Sequence, residues 1–301
     1  MPVRRRVPWR LLAALVLAVG LLGVLAIWAN VLGVGTRFDN LVDKVALVLD
    51  PPPDRPIAAE VIVTAPPASA PTATPERTLE PGETATPAPT PTPEPPRIPV
   101  DIQTLDDPGA LFIHQDDHDW CAVAGTQMVL AIHGRAPLTK AYQRELAGRI
   151  DEWRSRRDSR NGGWGPAAMA AALAANGVPG YEVRVYERRQ DALADAARAI
   201  EATGAPVILL MWRGAHTWVM TGFTADADPA VFADAHIAGV YIQDPWYPWV
   251  SSIWGPSDPP GNLEDMAEMR RNYLPWDRPE GTYPGRDGRF LAVVPTLPIT
   301  R

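Results

Sequence analysis

From Leu11 to about Val34 the chain reads LLAALVLAVGLLGVLAIWANVLGV, uncharged and mostly apolar, with no polar face. Such a run exceeds the roughly 18 to 20 residues a helix needs to cross about 30 Å of hydrocarbon, and the roughly 7 to 15 of a cleaved signal core. It predicts a membrane anchor over 11–34. Arg4, Arg5, Arg6 and Arg10 precede it, and the first charges after it are Arg37 and Asp39. That asymmetry predicts a cytoplasmic basic tail over 1–10 and a single-pass protein whose remainder is extracytoplasmic. A signal peptide cut near Ala29 is the alternative, and there is no lipobox cysteine to make a lipoprotein.

Beyond the anchor a stalk is expected over 35–97, of which 51–97 is dense in Pro, Thr, Ala and Glu and carries no apolar periodicity. Such a segment buries too little to offset its ordering entropy and favours extended polyproline II conformations. It predicts a stalk that, at about 3.1 Å per residue, holds a domain on the order of 100 Å from the bilayer, within reach of a cell wall.

Periodic patterns resume near Ile98 and predict one domain over 98–301. Apolar positions Val123, Met128, Val129 and Ile132 recur at helical spacing, so a helix starts at Cys121 and stops at Gly134. Further helices are predicted over Lys140 to Arg149, over Pro166 to Ala175, and over DALADAARAIEATG, which aligns Leu193, Ala196, Ala197 and Ile200 before Gly204. The runs YEVRVYE, PVILLMW, HTWVMTGF, GVYIQDP and RFLAVVP predict strands. Helices first and strands later indicate an α+β domain with an antiparallel sheet.

Charge and composition narrow the chemistry. A net charge of -7 and no basic stripe interleaved with aromatics exclude a phosphate-neutralising face, so no nucleic-acid partner is expected. A single cysteine excludes an intramolecular disulfide and any structural zinc site built on two cysteines.

That cysteine, in HQDDHDWCAVAG, lies in the first turn of the predicted helix, where unpaired N–H groups and the positive dipole end favour thiolate over thiol. Its own N–H is placed to face an oxyanion, and Gln115, six residues upstream, could supply a second donor. A thiolate nucleophile needs a base. His133 is more than three turns along the same helix and out of reach, whereas His216 opens the strand HTWVMTGF. Asp244, ending the strand VYIQ, is an acid placed to hold that imidazole.

The glutamine six residues before a helix-opening cysteine, then HTWVMTGF, then YIQDPW, resemble the papain-like cysteine peptidases of the bacteriocin-processing, C-39-like family, over roughly 98–295. The resemblance implies a papain-like fold and a peptide or protein substrate. It implies Cys121 as nucleophile, His216 as general base, Asp244 as its orienting acid and Gln115 in the oxyanion hole, with no cofactor and no metal. The chain departs from the family's pattern with Ala122 and Val123 after the cysteine, in the long loop TADADPAVFADAHIAG and over Trp246 to Trp276. No ATP-binding cassette follows, so leader clipping during export is not expected.

Two other readings compete. His114, His118 and Cys121, with Asp116 or Asp117, would share a face as metal ligands if they lay on one continuous helix; the consecutive polar residues favour a loop instead. An inactive domain of the same fold could bind peptide or wall glycan through Trp246, Tyr247, Trp249, Trp254, Tyr273 and Trp276, although such a cluster more often supports a long loop.

Overall fold

The computed structural model describes residues 9–28, 45, 49, 51–64, 95–159, 163–277 and 281–299, which fall into two units, 1–53 and 54–301. In the first unit, helix α1 covers Trp9–Trp28. Its side chains are described only from Val16 to Leu25, a length of about 15 Å, half of a bilayer core. Among the described residues no helix is long and apolar enough to cross a membrane, so the anchor expected over 11–34 is not supported there. Residues 1–8 of the basic tail and 29–34 of the anchor lie outside the described residues.

The second unit is built on a mixed sheet. Its strands are β1 (Val61–Val63), β2 (Val100–Gln103), β3 (Tyr181–Tyr186), β4 (Val207–Met211), β5 (His216–Ala225), β6 (Ile237–Gln243), β9 (Asn262–Asp265) and β10 (Phe290–Pro295). The order is β1-β3-β10-β4-β5-β6-β9, with β2 added on β5. Every pairing is antiparallel except β1 with β3, which is parallel. A small hairpin, β7 (Val250–Ser251) with β8 (Gly255–Pro256), stands apart.

Helices cover both faces of the sheet. On one lie α2 (Cys121–Ile132), α3 (Lys140–Gly148) and α4 (Pro166–Ala175), with Val123, Met128, Val129, Met169 and Leu173 packed on Ile208, Leu210, Val219 and Val293. On the other lie α5 (Arg189–Thr203) and α6 (Met266–Asn272), with Leu193, Ala196, Ala197 and Ile200 packed on Val207, Leu209, Met220 and Ala292. This is why PVILLMW reads as a continuous apolar run: every residue of β4 is buried, alternate side chains entering opposite cores. The α+β architecture fits a papain-like peptidase, and α2, α3, α4, β3, α5, β4, β5, β6 and β10 stand where the patterning places them. Gly204 ends α5 at φ 67°, a left-handed cap that glycine adopts without a Cβ penalty.

The stalk boundary differs from the sequence reading. Residues 54–64, expected to be spacer, belong to the folded unit. Val61–Val63 form the edge strand β1, Asp54 pairs with Arg156 and Arg157, and Glu60 pairs with Arg286. Arg286, 1% exposed, also donates to the Asp158 carbonyl at 2.7 Å and to its carboxylate at 2.7 Å, beneath the rings of Trp276 and Tyr283. Asp158 in turn accepts from the Ala167 and Ala168 N–H groups at the start of α4. A three-residue apolar strand among prolines gave no periodic signal, and its ion-pair partner is 226 residues away. Both flanks of the Pro/Thr-rich segment therefore sit in one unit, at β1 and at β2; residues 65–94 of the expected stalk lie outside the described residues.

Candidate active site

The site begins with how closely α2 can approach the sheet. Gly125 faces β5, and a Cβ there would lie 2.9 Å from Thr217 Cγ2 and 3.6 Å from Val219 Cγ2. Only a residue without a side chain permits this packing. One helical turn before Gly125 is Cys121; one residue before Thr217 is His216. The close contact thus sets the helix N-terminus over the first residue of β5. Trp120 provides no side-chain cap there, and the partly exposed Cys121 is the first residue of the helix, at the positive end of its dipole.

Antiparallel pairing brings the acid to the same end. Gln243, the last residue of β6, pairs with Val219, so Asp244 emerges beside the start of β5. His216 Nε2 donates to Asp244 Oδ1 at 2.7 Å, and the two side chains are 2% and 1% exposed. The Trp246 N–H donates to the same oxygen at 2.9 Å. Burial opposes charge on the imidazole, but the Asp244 carboxylate and its hydrogen bond, joined by the hydrogen bond and charge of Cys121, raise the His216 pKa to about 9. With Nε2 given to Asp244, Nδ1 is the nitrogen left for the thiol.

Aromatic rings enclose this pair. Trp212 stacks on His216 with centroids 4.0 Å apart and planes 19° from parallel, and Trp254 also stacks on Trp212, at 5.5 Å and 8°. Trp246 meets His216 edge-on, at 87°. Trp212 was not anticipated from sequence; its only local signal is WRGA before the histidine. Trp246, Trp249 and Trp254 do gather at the site, whereas Tyr273 and Trp276 are core residues.

A family model, the Peptidase_C39-like family, matches residues 110–274, more than half of the chain and all of this machinery. The chain belongs to that family. A comparison with curated proteins finds no match.

In this Peptidase_C39-like domain Gln115 is placed near the site but employed differently from the expectation. Its Nε2 donates to the carbonyls of Asp117 at 2.7 Å and His118 at 2.8 Å, so both amide hydrogens hold the loop leading into Cys121. Its own N–H donates to the Pro245 carbonyl at 3.0 Å, tying that loop to the one after Asp244. Buried Gln143 reaches the same loop from α3, accepting from the Asp116 N–H at 2.6 Å, and is held by Gln127 of α2. Gln127 and Gln143, unlike Gln115, did not stand out from sequence, because each is recognisable only by its partners.

The residues considered for a metal are drawn elsewhere. The His118 ring stacks on Trp249 at 4.6 Å and His114 meets that indole edge-on at 4.2 Å. Asp116 pairs with Lys140 and Arg144. Among the described residues no group of three or more His, Cys, Asp or Glu is disposed to hold a metal ion.

Proposed function

We propose that this chain is a membrane-anchored, extracytoplasmic cysteine peptidase with Cys121, His216 and Asp244 as its triad. One observation carries the reading: a sealed His216–Asp244 pair, 2.7 Å apart, meets the chain's single cysteine at a helix N-terminus. Family membership supplies the substrate class, a peptide or protein.

The Cys121 thiolate attacks the scissile carbonyl, and the oxyanion forms against the Cys121 N–H. The His216 imidazolium gives its Nδ1 proton to the leaving amine, which departs as the C–N bond breaks and a thioester remains. Water attacks the thioester, His216 takes its proton, and the carboxylic acid and the thiolate–imidazolium pair are regenerated. Asp244 keeps Nε2 engaged, and with it the ring orientation, throughout.

Anchorage and placement rest on the sequence. No charge follows Arg10 until Arg37, the backbone is helical over Trp9–Trp28, and four arginines mark the cytoplasmic end. Wall peptides are then substrates within reach.

The test has two parts. Incubation with a peptide library, followed by mass spectrometry, is expected to show cleavage by the wild type and none by Cys121→Ala or His216→Ala; full cleavage by Cys121→Ala overturns the triad. External protease on intact cells is expected to digest a C-terminal tag, and a protected tag overturns the placement.

A further inference from the structure

The chain takes an expensive path between β4 and β5. Three consecutive residues, Trp212, Arg213 and Gly214, have φ of 52°, 63° and 87°. The left-handed region is unfavourable for a non-glycine residue, and such strain persists only where the surroundings enforce it. Gly214 has no alternative residue, since a Cβ would lie 2.3 Å from Trp276 Cε3. A hairpin between two antiparallel strands does not require this at a tryptophan.

What the path achieves is the placement of one ring. Trp212 is buried and stacks on both His216 and Trp254. Its Nε1 donates to Asn272 Oδ1 at 2.9 Å, and Asn272 Nδ2 donates to the Glu268 carbonyl and carboxylate at 3.2 and 3.1 Å. The indole is therefore clamped from α6. Arg213 does not share this role; its guanidinium turns outward to Asp277.

We propose that Trp212 is a positioning residue for the reaction: stacked on His216 and tethered to Asn272, it holds the imidazole in the orientation that gives Nε2 to Asp244 and Nδ1 to Cys121. This rests on the triad reading above. The ring's π-face also favours the imidazolium over the neutral imidazole. The charged groups at the ring are Asp244 from the end of β6 and Cys121 from α2; Trp212 and Trp246, which cover it, are neutral, and Glu268 acts on Trp212 only through Asn272.

Two readouts on the full chain test this without a known substrate. The His216 ring resonance, assigned by its loss in His216→Ala, gives the imidazole midpoint, and iodoacetamide reports on the single cysteine. Trp212→Leu is expected to lower the His216 midpoint by about one pH unit and to slow alkylation at pH 6 about tenfold. Trp212→Phe, which keeps an aromatic face but loses the Asn272 bond, is expected to fall between. A wild-type midpoint and rate in Trp212→Leu overturn the inference; if that variant does not fold, as read by circular dichroism, the same result in Trp212→Phe overturns it. If the wild-type thiol itself reacts only near its ordinary pKa of about 8.5, the triad reading falls and this inference with it.

Discussion

Gly125 lies against Thr217 so closely that an added Cβ would stand 2.9 Å from the threonine methyl. Helix α2 and strand β5 are thereby registered by a contact between neighbours of Cys121 and His216 and not by those residues themselves. Gly125→Ala is expected to push α2 off β5, costing about 1 to 3 kcal/mol as an overpacked core does. Thiol reactivity at low pH should fall with it. Thr217→Ser removes the methyl, so the double variant should recover much of both losses. Denaturant midpoints and alkylation rates measure this; a double variant no better than Gly125→Ala would refute the registration.

The His216 pKa, raised to about 9, couples folding to pH. A group whose folded pKa lies above its unfolded value of about 6.5 stabilises the fold fully below that lower value. The contribution is lost as pH rises through about 9. Roughly 2 to 4 kcal/mol should disappear between pH 6 and 10 in the wild type, and much less in Asp244→Asn. Cleavage should also decline above about pH 9 as the imidazolium loses its proton. Urea unfolding across that range tests the first statement, and an Asp244→Asn profile as steep as wild type would contradict it.

Gln115 offers a choice between two roles that one probe separates. Alkylation of a thiol develops no oxyanion, so an oxyanion donor is irrelevant to it, whereas a residue that shapes the Asp117–His118 loop is not. Gln115→Ala is expected to cost about 1 to 3 kcal/mol of stability and to change the iodoacetamide rate at Cys121 severalfold. If cleavage fell a hundredfold while alkylation and stability stayed at wild-type values, the oxyanion role would be restored.

Arg286 is buried between Asp158 and Glu60. Taking away one partner leaves a buried charge incompletely compensated, a loss of about 3 to 5 kcal/mol. A chain beginning at Asp54 is therefore expected to unfold at clearly higher urea than one beginning at Ile98, which lacks β1 and Glu60. Glu60→Gln in the longer chain should reproduce part of the difference. Equal midpoints for the two chains would show that the N-terminal strand is dispensable.

Legibility in the sequence followed the range of the interaction that decides each feature. Helix α2 and strand β5 carry their own periodicity, so Cys121 and His216 could be placed at element starts, and Asp244 at a strand end. Strand β1 has three apolar residues and takes its stability from β3 and Arg286, both distant in the chain. Trp212 belongs to the site because three left-handed residues turn it onto His216, and WRGA differs little from any short connection. The parallel pairing of β1 was hidden for the same reason: it depends on a long excursion and not on a hairpin.

Strand β1 and strand β2 anchor the two flanks of the Pro/Thr-rich segment in the same folded unit. A simple tether releases its cargo at the first proteolytic nick. Here a single cut within 65–94 would leave residues 54–64 bound by strand pairing and by the Glu60–Arg286 pair. On the proposed anchorage, separating residues 98–301 from the N-terminal helix would then require either unfolding of that edge or a second cut on the N-terminal side of Asp54.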